Sequence, residues 1–249
     1  MPIPSEKQLL QAACHFGHPQ QKWNPKIAPY LYGSLKGIHI FDLAQTRAGL
    51  IQVCEEMKKL QAEGKNILFV STKQQAIPHI ERIGHDLNQP VVTKKWIAGL
   101  LTNWPTLKRR LQYYLDLRRS FQTGDVEKYT KKEQTHLRKE LTKLDSALSG
   151  VSTMTGLPDA VFVVDAVRDH VAVLEAKKLG IPLYGICDSN ADPDEFTACV
   201  PANDDAVKSI DLLLGTILEE LSSAKMQKKA APEKKEEENA PRNVIASSY

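Results

Sequence analysis

Two runs of strand length, Asn66-Ile67-Leu68-Phe69-Val70-Ser71 and Ala160-Val161-Phe162-Val163-Val164-Asp165, are continuously apolar apart from Asn66, Ser71 and Asp165 at their ends. A strand turns successive side chains to opposite faces, so a run that is apolar throughout has no face to give to water. Such runs belong in a sheet covered by helices on both sides, with parallel strands joined by helical crossovers. Ile181-Pro182-Leu183-Tyr184-Gly185-Ile186-Cys187-Asp188 reads as a further strand, and so does the alternating Gly37-Ile38-His39-Ile40-Phe41-Asp42. Helical periodicity fills the intervals, from Thr46 to Glu63, Gln74 to Leu87, His170 to Leu179 and Asp204 to Leu221. Strand and helix in alternation predict an α/β layered sheet with right-handed crossovers.

Two segments leave that rhythm. Between Leu107 and Leu148 there is no strand signal. Leu107, Leu111 and Tyr114, then Leu137, Leu141, Leu144 and Leu148, fall at spacings of three and four with charges between them. With a break at Thr123-Gly124-Asp125, this predicts two antiparallel helices projecting from the sheet. From Ser222 onward the chain is poor in apolar residues and rich in charge of both signs, the composition of a disordered tail.

The net charge of +3 is small, but it is unevenly placed. Residues 1–48 carry five Lys/Arg against two Asp/Glu, and residues 108–148 carry eleven against six. The remainder is net negative, so two basic regions sit on a mildly acidic body. Cys14, Cys54, Cys187 and Cys199 are far apart and form no CxxC, which argues against a disulfide scaffold or a zinc ribbon and suggests a reducing cytoplasm. No apolar run approaches the roughly 20 residues that span a bilayer, and the first seven residues do not read as a secretory leader. No membrane partner is expected.

The segment His15-Phe16-Gly17-His18-Pro19-Gln20-Gln21-Lys22-Trp23-Asn24-Pro25-Lys26 has neither helical nor strand period. Without a regular apolar face, it is expected to be shaped by something it touches. Cations alternating with flat rings are the chemistry that holds phosphates and stacks on bases, although a Pro/Gly-rich loop on an enzyme has a similar composition. Trp96 and Trp104 form a second dense segment ahead of Lys108, Arg109 and Arg110. Its indoles can anchor the base of the hairpin, while Lys94, Lys95, Arg109 and Arg110 are candidate phosphate contacts.

Asp165 and Asp188 end strands, where α/β folds place functional groups. They could hold a metal or act as acid and base in an enzyme; equally they could cap the turns that follow. Asp192-Pro193-Asp194 and Asn203-Asp204-Asp205 read as turn and N-cap chemistry, with Asn203 or Asp204 opening the last helix. Cys14, His15 and His18 are soft ligands without a second cluster, and read better as a packed or RNA-facing loop. No nucleophile elbow, phosphate-binding glycine loop or dinucleotide fingerprint follows any strand; after Val70-Ser71 comes Thr72-Lys73-Gln74-Gln75. The enzyme reading therefore loses ground, and no catalytic residue, cofactor, metal or small-molecule substrate is assigned.

Taken in order, these motifs resemble the bacterial-type small-subunit ribosomal protein S-two family over about residues 5–220. The resemblance rests on His15-Phe16-Gly17-His18, Trp23-Asn24-Pro25-Lys26, Ile38-His39-Ile40 with Asp42-Leu43, Thr72-Lys73, Trp96 with Leu101-Thr102-Asn103, and Gly156-Leu157-Pro158-Asp159. It continues through Leu179-Gly180-Ile181-Pro182, Asp188-Ser189-Asn190-Ala191-Asp192-Pro193 and Pro201-Ala202-Asn203-Asp204-Asp205-Ala206. Ser71, Ala98 and Ala202 stand where the family pattern suggests glycine, and Ser189 where it suggests threonine. The resemblance implies a flavodoxin-like three-layer α/β domain with an inserted antiparallel coiled-coil hairpin, and no enzymatic activity. It also implies a structural constituent of the small ribosomal subunit in the cytoplasm. Small-subunit rRNA and neighbouring small-subunit proteins would be its partners, among them the large mRNA-binding ribosomal protein.

The expected organisation is an RNA-contacting extension over 1–36, the α/β domain over 37–106 and 149–221, the hairpin over 107–148 and the tail over 222–249. The expected RNA contacts are His15, His18, Lys22, Trp23, Asn24 and Lys26, with Lys94, Lys95, Arg109 and Arg110 as a second set. The competing reading is a metal-dependent α/β enzyme using Asp165 and Asp188.

Overall fold

A computed structural model describes residues 3–238, with side chains as far as residue 223. The chain opens with a short helix, α1 (Glu6–Gln11), and three strands, β1 (Phe16–Pro19), β2 (Leu31–Leu35) and β3 (Ile38–Phe41). These strands form their own antiparallel sheet in the order β1-β3-β2. Lys36 and Gly37 take φ of 51° and 81°, the left-handed pair that a two-residue turn between β2 and β3 requires. The strand expected at 37–42 therefore belongs to this small sheet and not to the large one. Its alternation was the signal: Phe41 is buried while Ile38 is exposed, a strand with one wet face.

Helix α2 (Leu43–Glu63) starts where Asp42 accepts a hydrogen bond from the Ala44 N–H (3.0 Å), and it ends at the left-handed Gly64. The chain continues as β4 (Ile67–Val70), α3 (Ile77–Leu87) and β5 (Val91–Val92). The hairpin follows as α4 (Trp104–Thr123) and α5 (Lys131–Leu148). After it come β6 (Ala160–Val163), α6 (His170–Leu179), β7 (Leu183–Cys187), β8 (Ala198–Pro201) and α7 (Val207–Glu238).

The large sheet is wholly parallel, in the order β5-β4-β6-β7-β8. Counted in order of appearance that is 2-1-3-4-5, the flavodoxin-like doubly wound order. Both faces are buried, as the apolar runs require. Ile67 and Phe69 of β4, Ala160 and Phe162 of β6 and Ile186 of β7 pack with α1, α2, α3 and α7. Leu68, Val70, Val161, Val163 and Leu183 point the other way, toward α6 and the base of the hairpin. The short strands β5 and β8 lacked an apolar run long enough to be read in advance.

The hairpin buries Leu107, Leu111, Tyr114 and Leu117 of α4 against Leu144 and Leu148 of α5, as the leucine spacing predicts. Gly124 ends α4 in the left-handed region, and Thr130 with Glu133 opens α5 as a capping box. The tail expected from 222 begins inside α7, whose backbone runs on to Glu238; the remainder of that expectation, 239–249, lies outside the described residues. Charged Lys- and Glu-rich sequence cannot build a core, but it propagates a helix well.

Candidate nucleic-acid interface

In doubly wound sheets the ligand crevice opens at the carboxyl ends of the strands, where the order reverses. Here that point lies between β4 and β6, and the chain's own side chains fill it. Lys73, just after β4, places its Nζ 3.0 Å from Asp165 beyond β6 and 2.7 Å from both Asp204 and Asp205 beyond β8. Three carboxylates hold its ammonium charged despite a burial that works the other way. The Asp204 carboxyl is pushed well above the usual range, chiefly by burial and then by the charges of Asp188 and Asp165.

The N-terminal segment closes this cluster from outside. Ser189, directly after β7, accepts the His18 N–H at its hydroxyl (2.7 Å) and the Asn24 N–H at its carbonyl (2.7 Å). Gly17 is needed for that approach, because a Cβ there would lie 2.7 Å from the Ser189 hydroxyl and 3.3 Å from the Phe41 ring. The His18 ring sits with Nδ1 3.1 Å from Asp188 and Nε2 3.4 Å from Asp205. The hydrogen bond with Asp188 raises its pKa most, opposed by partial burial. His18, Asp188 and Asp205 each offer one ligand atom within 4.8 Å of the others, and the Lys73 ammonium already brings a cation to that group.

The segment expected to take shape on a partner is thus ordered by its own chain. Asn24 caps the following 3-10 turn by accepting the Lys26 N–H (3.1 Å), and Lys26 pairs with Asp192 (2.7 Å) and Asp194 (3.0 Å). Trp23 stacks on His39 with ring centroids 4.7 Å apart. His15 lies on Phe16 at 4.1 Å, its Nδ1 buried without a hydrogen-bond partner and its pKa lowered by burial. Lys22 is exposed and makes no ion pair among the described residues. The structure brings His18, Asn24 and Lys26 together around the 188–194 loop and leaves Lys22 facing outward.

The second set lies across the sheet. Lys94 and Lys95 are exposed just beyond β5, at the opposite edge from β8, and Arg109 and Arg110 are exposed on the first turns of α4. Both indoles do anchor the hairpin: Trp96 is buried, and Trp104 packs against the same apolar cluster. Sequence reasoning missed what holds this loop. Glu175 of α6 accepts hydrogen bonds from the Trp96 indole (2.9 Å), the N–H groups of Gly99 (2.7 Å), Leu101 (3.0 Å) and Thr102 (3.0 Å), and the Thr102 hydroxyl (3.1 Å). The signal available was an acid on the apolar face of α6, between Val173 and Ala176. Lys73 also went unassigned; a lysine within three residues of a buried strand's end was its only trace.

Asp165 caps the turn that follows it by accepting the Arg168 N–H (2.8 Å), whereas Asp188 reaches across to the segment after β8 and accepts the Asp204 N–H (3.2 Å). Asn203 caps the turn ahead of α7 by accepting the N–H groups of Asp205 (2.8 Å) and Ala206 (3.1 Å). Ser71, Ala98 and Ala202 all keep negative φ, so the absence of glycine there strains nothing.

Residues 9–224 match the family model described as Ribosomal protein S2. The chain belongs to that family. Among similar proteins, the small ribosomal subunit protein uS2 of Rhodospirillum rubrum is 43% identical over 210 residues, covering 84% of this chain and 80% of its own. The uS2c protein of Rhodomonas salina is 42% identical over 222 residues, with 89% and 91% covered. The uS2 protein of Microcystis aeruginosa is 41% identical over 239 residues, with 96% and 90% covered. As a member of the S2 family this is a structural, non-enzymatic protein of the small ribosomal subunit. That overturns the metal-dependent enzyme reading of Asp165 and Asp188, whose carboxylates instead serve the Lys73 and His18 cluster. Among the described residues, no helix is long and apolar enough to cross a membrane.

Proposed function

We propose that this S2-family chain binds small-subunit rRNA and neighbouring ribosomal proteins, the large mRNA-binding ribosomal protein among them, on cytoplasmic ribosomes. The observation that carries the reading is the fate of its cations. The crevice that would hold a small ligand is filled by Lys73 and its carboxylates, while Lys22, Lys94, Lys95, Arg109 and Arg110 stand exposed without ion pairs among the described residues. Exposed, unpaired cations bind a phosphate backbone and set its salt dependence. Trp23, Asn24 and the two histidines are then read as supports that fix the position of Lys22, with Lys26 free to exchange its aspartates for phosphate. For protein neighbours, Phe16, Tyr32, Leu35 and Ile38 of the small sheet leave an apolar surface exposed.

Lys22→Ala should flatten the logarithmic salt dependence of rRNA binding by about one unit, and Lys26→Ala should add less, because Lys26 already holds two carboxylates. Filter binding of a small-subunit rRNA transcript across a salt series measures both. A slope unchanged in the double variant would remove the N-terminal segment from the interface.

A further inference from the structure

Helix α5 carries Lys132, His136, Lys139 and Lys143 at spacings of four, three and four, and all four are exposed. At 100° per residue they fall within about 60° of one another, a single stripe about 16 Å long. Ser146 continues the same stripe by one more turn and lines a cleft of about 360 Å³ at the hairpin base, shared with Lys94, Lys95, Ser149, Ser152 and Thr153.

The acids that could neutralise this stripe are engaged elsewhere. Glu133 is held by the Thr130 N–H and hydroxyl at 2.9 and 2.8 Å. Asp145 accepts the Tyr114 hydroxyl at 2.6 Å, and Glu140 bonds Tyr113. Glu81, the carboxylate lining the cleft, accepts from Thr93 at 3.3 Å. None of the four stripe residues makes an ion pair among the described residues, whereas Arg138 turns toward the Phe121 ring of α4, 5.9 Å away.

We propose that the α5 stripe and the cleft beneath it form one continuous track for the phosphate backbone of an RNA strand. The hairpin is then a binding arm and not only a spacer, and the track leads that strand onto Lys94 and Lys95. Hydroxyls at the cleft end suit phosphate oxygens as donors without adding charge. This inference rests on the rRNA-binding reading above and specifies the surface that performs it.

The test uses the full chain with Lys132→Gln, Lys139→Gln and Lys143→Gln combined, beside the matching triple Lys→Arg variant. All three positions are exposed, so far-UV circular dichroism and the thermal melt should match the wild type. Binding to a small-subunit rRNA transcript should lose about 2–3 units of logarithmic salt slope in the Gln variant and keep it in the Arg variant. If the wild type binds with salt dependence and the Gln variant keeps the same slope, the track is overturned while the functional reading stands. If the wild type shows no salt-dependent rRNA binding, the functional reading falls and the track with it. Lost incorporation into small subunits at an unchanged rRNA slope would mark the stripe as a contact for an acidic protein, and would also overturn the proposal.

Discussion

Lys73→Met should destabilise the fold by about 3–5 kcal/mol, read as a lower midpoint in urea at neutral pH. Lys73 is 5% exposed, and its ammonium lies within 3.0 Å of three carboxylates, one each from Asp165, Asp204 and Asp205. Methionine matches the stem but removes the cation these acids share, leaving the buried carboxyls of Asp165 and Asp204 without it. That loss, rather than any net gain from the intact pair, sets the size of the effect. The deficit should also depend on pH. Burial and neighbouring acids raise the folded-state pKa of Asp204 above its unfolded value, so the folded form binds that proton more tightly. Lys73 holds that value down, so in the variant the Asp204 carboxyl rises above about 8, takes up its proton at higher pH than in the wild type, and should return part of the deficit as pH falls toward about 8. A deficit that stays constant as pH is lowered from the alkaline side to about 8 would contradict the assignment.

Glu175→Ala should cost about 3 kcal/mol and loosen the connection between sheet and hairpin. One carboxylate receives five hydrogen bonds from the 96–102 loop, and those from Trp96 and Leu101 are buried. Removing it strands donors that water reaches poorly, which costs more than losing an exposed bond. Glu175→Gln should be nearly as harmful, because its NH2 group would face N–H donors. The site-specific readout is hydrogen exchange at the Gly99, Leu101 and Thr102 amides, which should quicken well beyond the global change in stability. These bonds hold the Glu175 carboxyl below its ordinary pKa against the opposing effect of burial. Its contribution is therefore present above the unfolded-state pKa and is lost as pH falls through the lower folded value. Amide protection at the loop equal to that of the wild type would refute this role.

The layers of the fold could be read directly because β4 and β6 are apolar on both faces and the hairpin leucines keep strict spacing. Strand β8 was hidden because Ala198-Cys199-Val200-Pro201 is too short and mixed to show a period. The small N-terminal sheet was hidden for a different reason. Its order comes from Ser189 and Asp188, more than 170 residues away along the chain, and no local pattern reports such a contact. The same applies to the site. Lys22, Lys94, Lys95, Arg109 and Arg110 were legible as cations in basic surroundings and remain exposed. His18 and Lys26 look identical in sequence to free RNA contacts, yet they are held by carboxylates that only the fold brings within reach. Glu175 shows the limit from the other side: an acid on an apolar helix face signals a buried partner without naming it.

This chain is a structural component of the small subunit, and we propose that its exposed cations hold it there. The most direct measurement is sucrose-gradient sedimentation of the full chain with small subunits depleted of their own S2 protein. The chain should travel with the small-subunit peak at a one-to-one ratio, and the Lys22→Ala and Lys94→Ala/Lys95→Ala variants should leave that peak at lower salt than the wild type. Wild-type chain that stays at the top of the gradient at low salt, while still folded, would contradict the account.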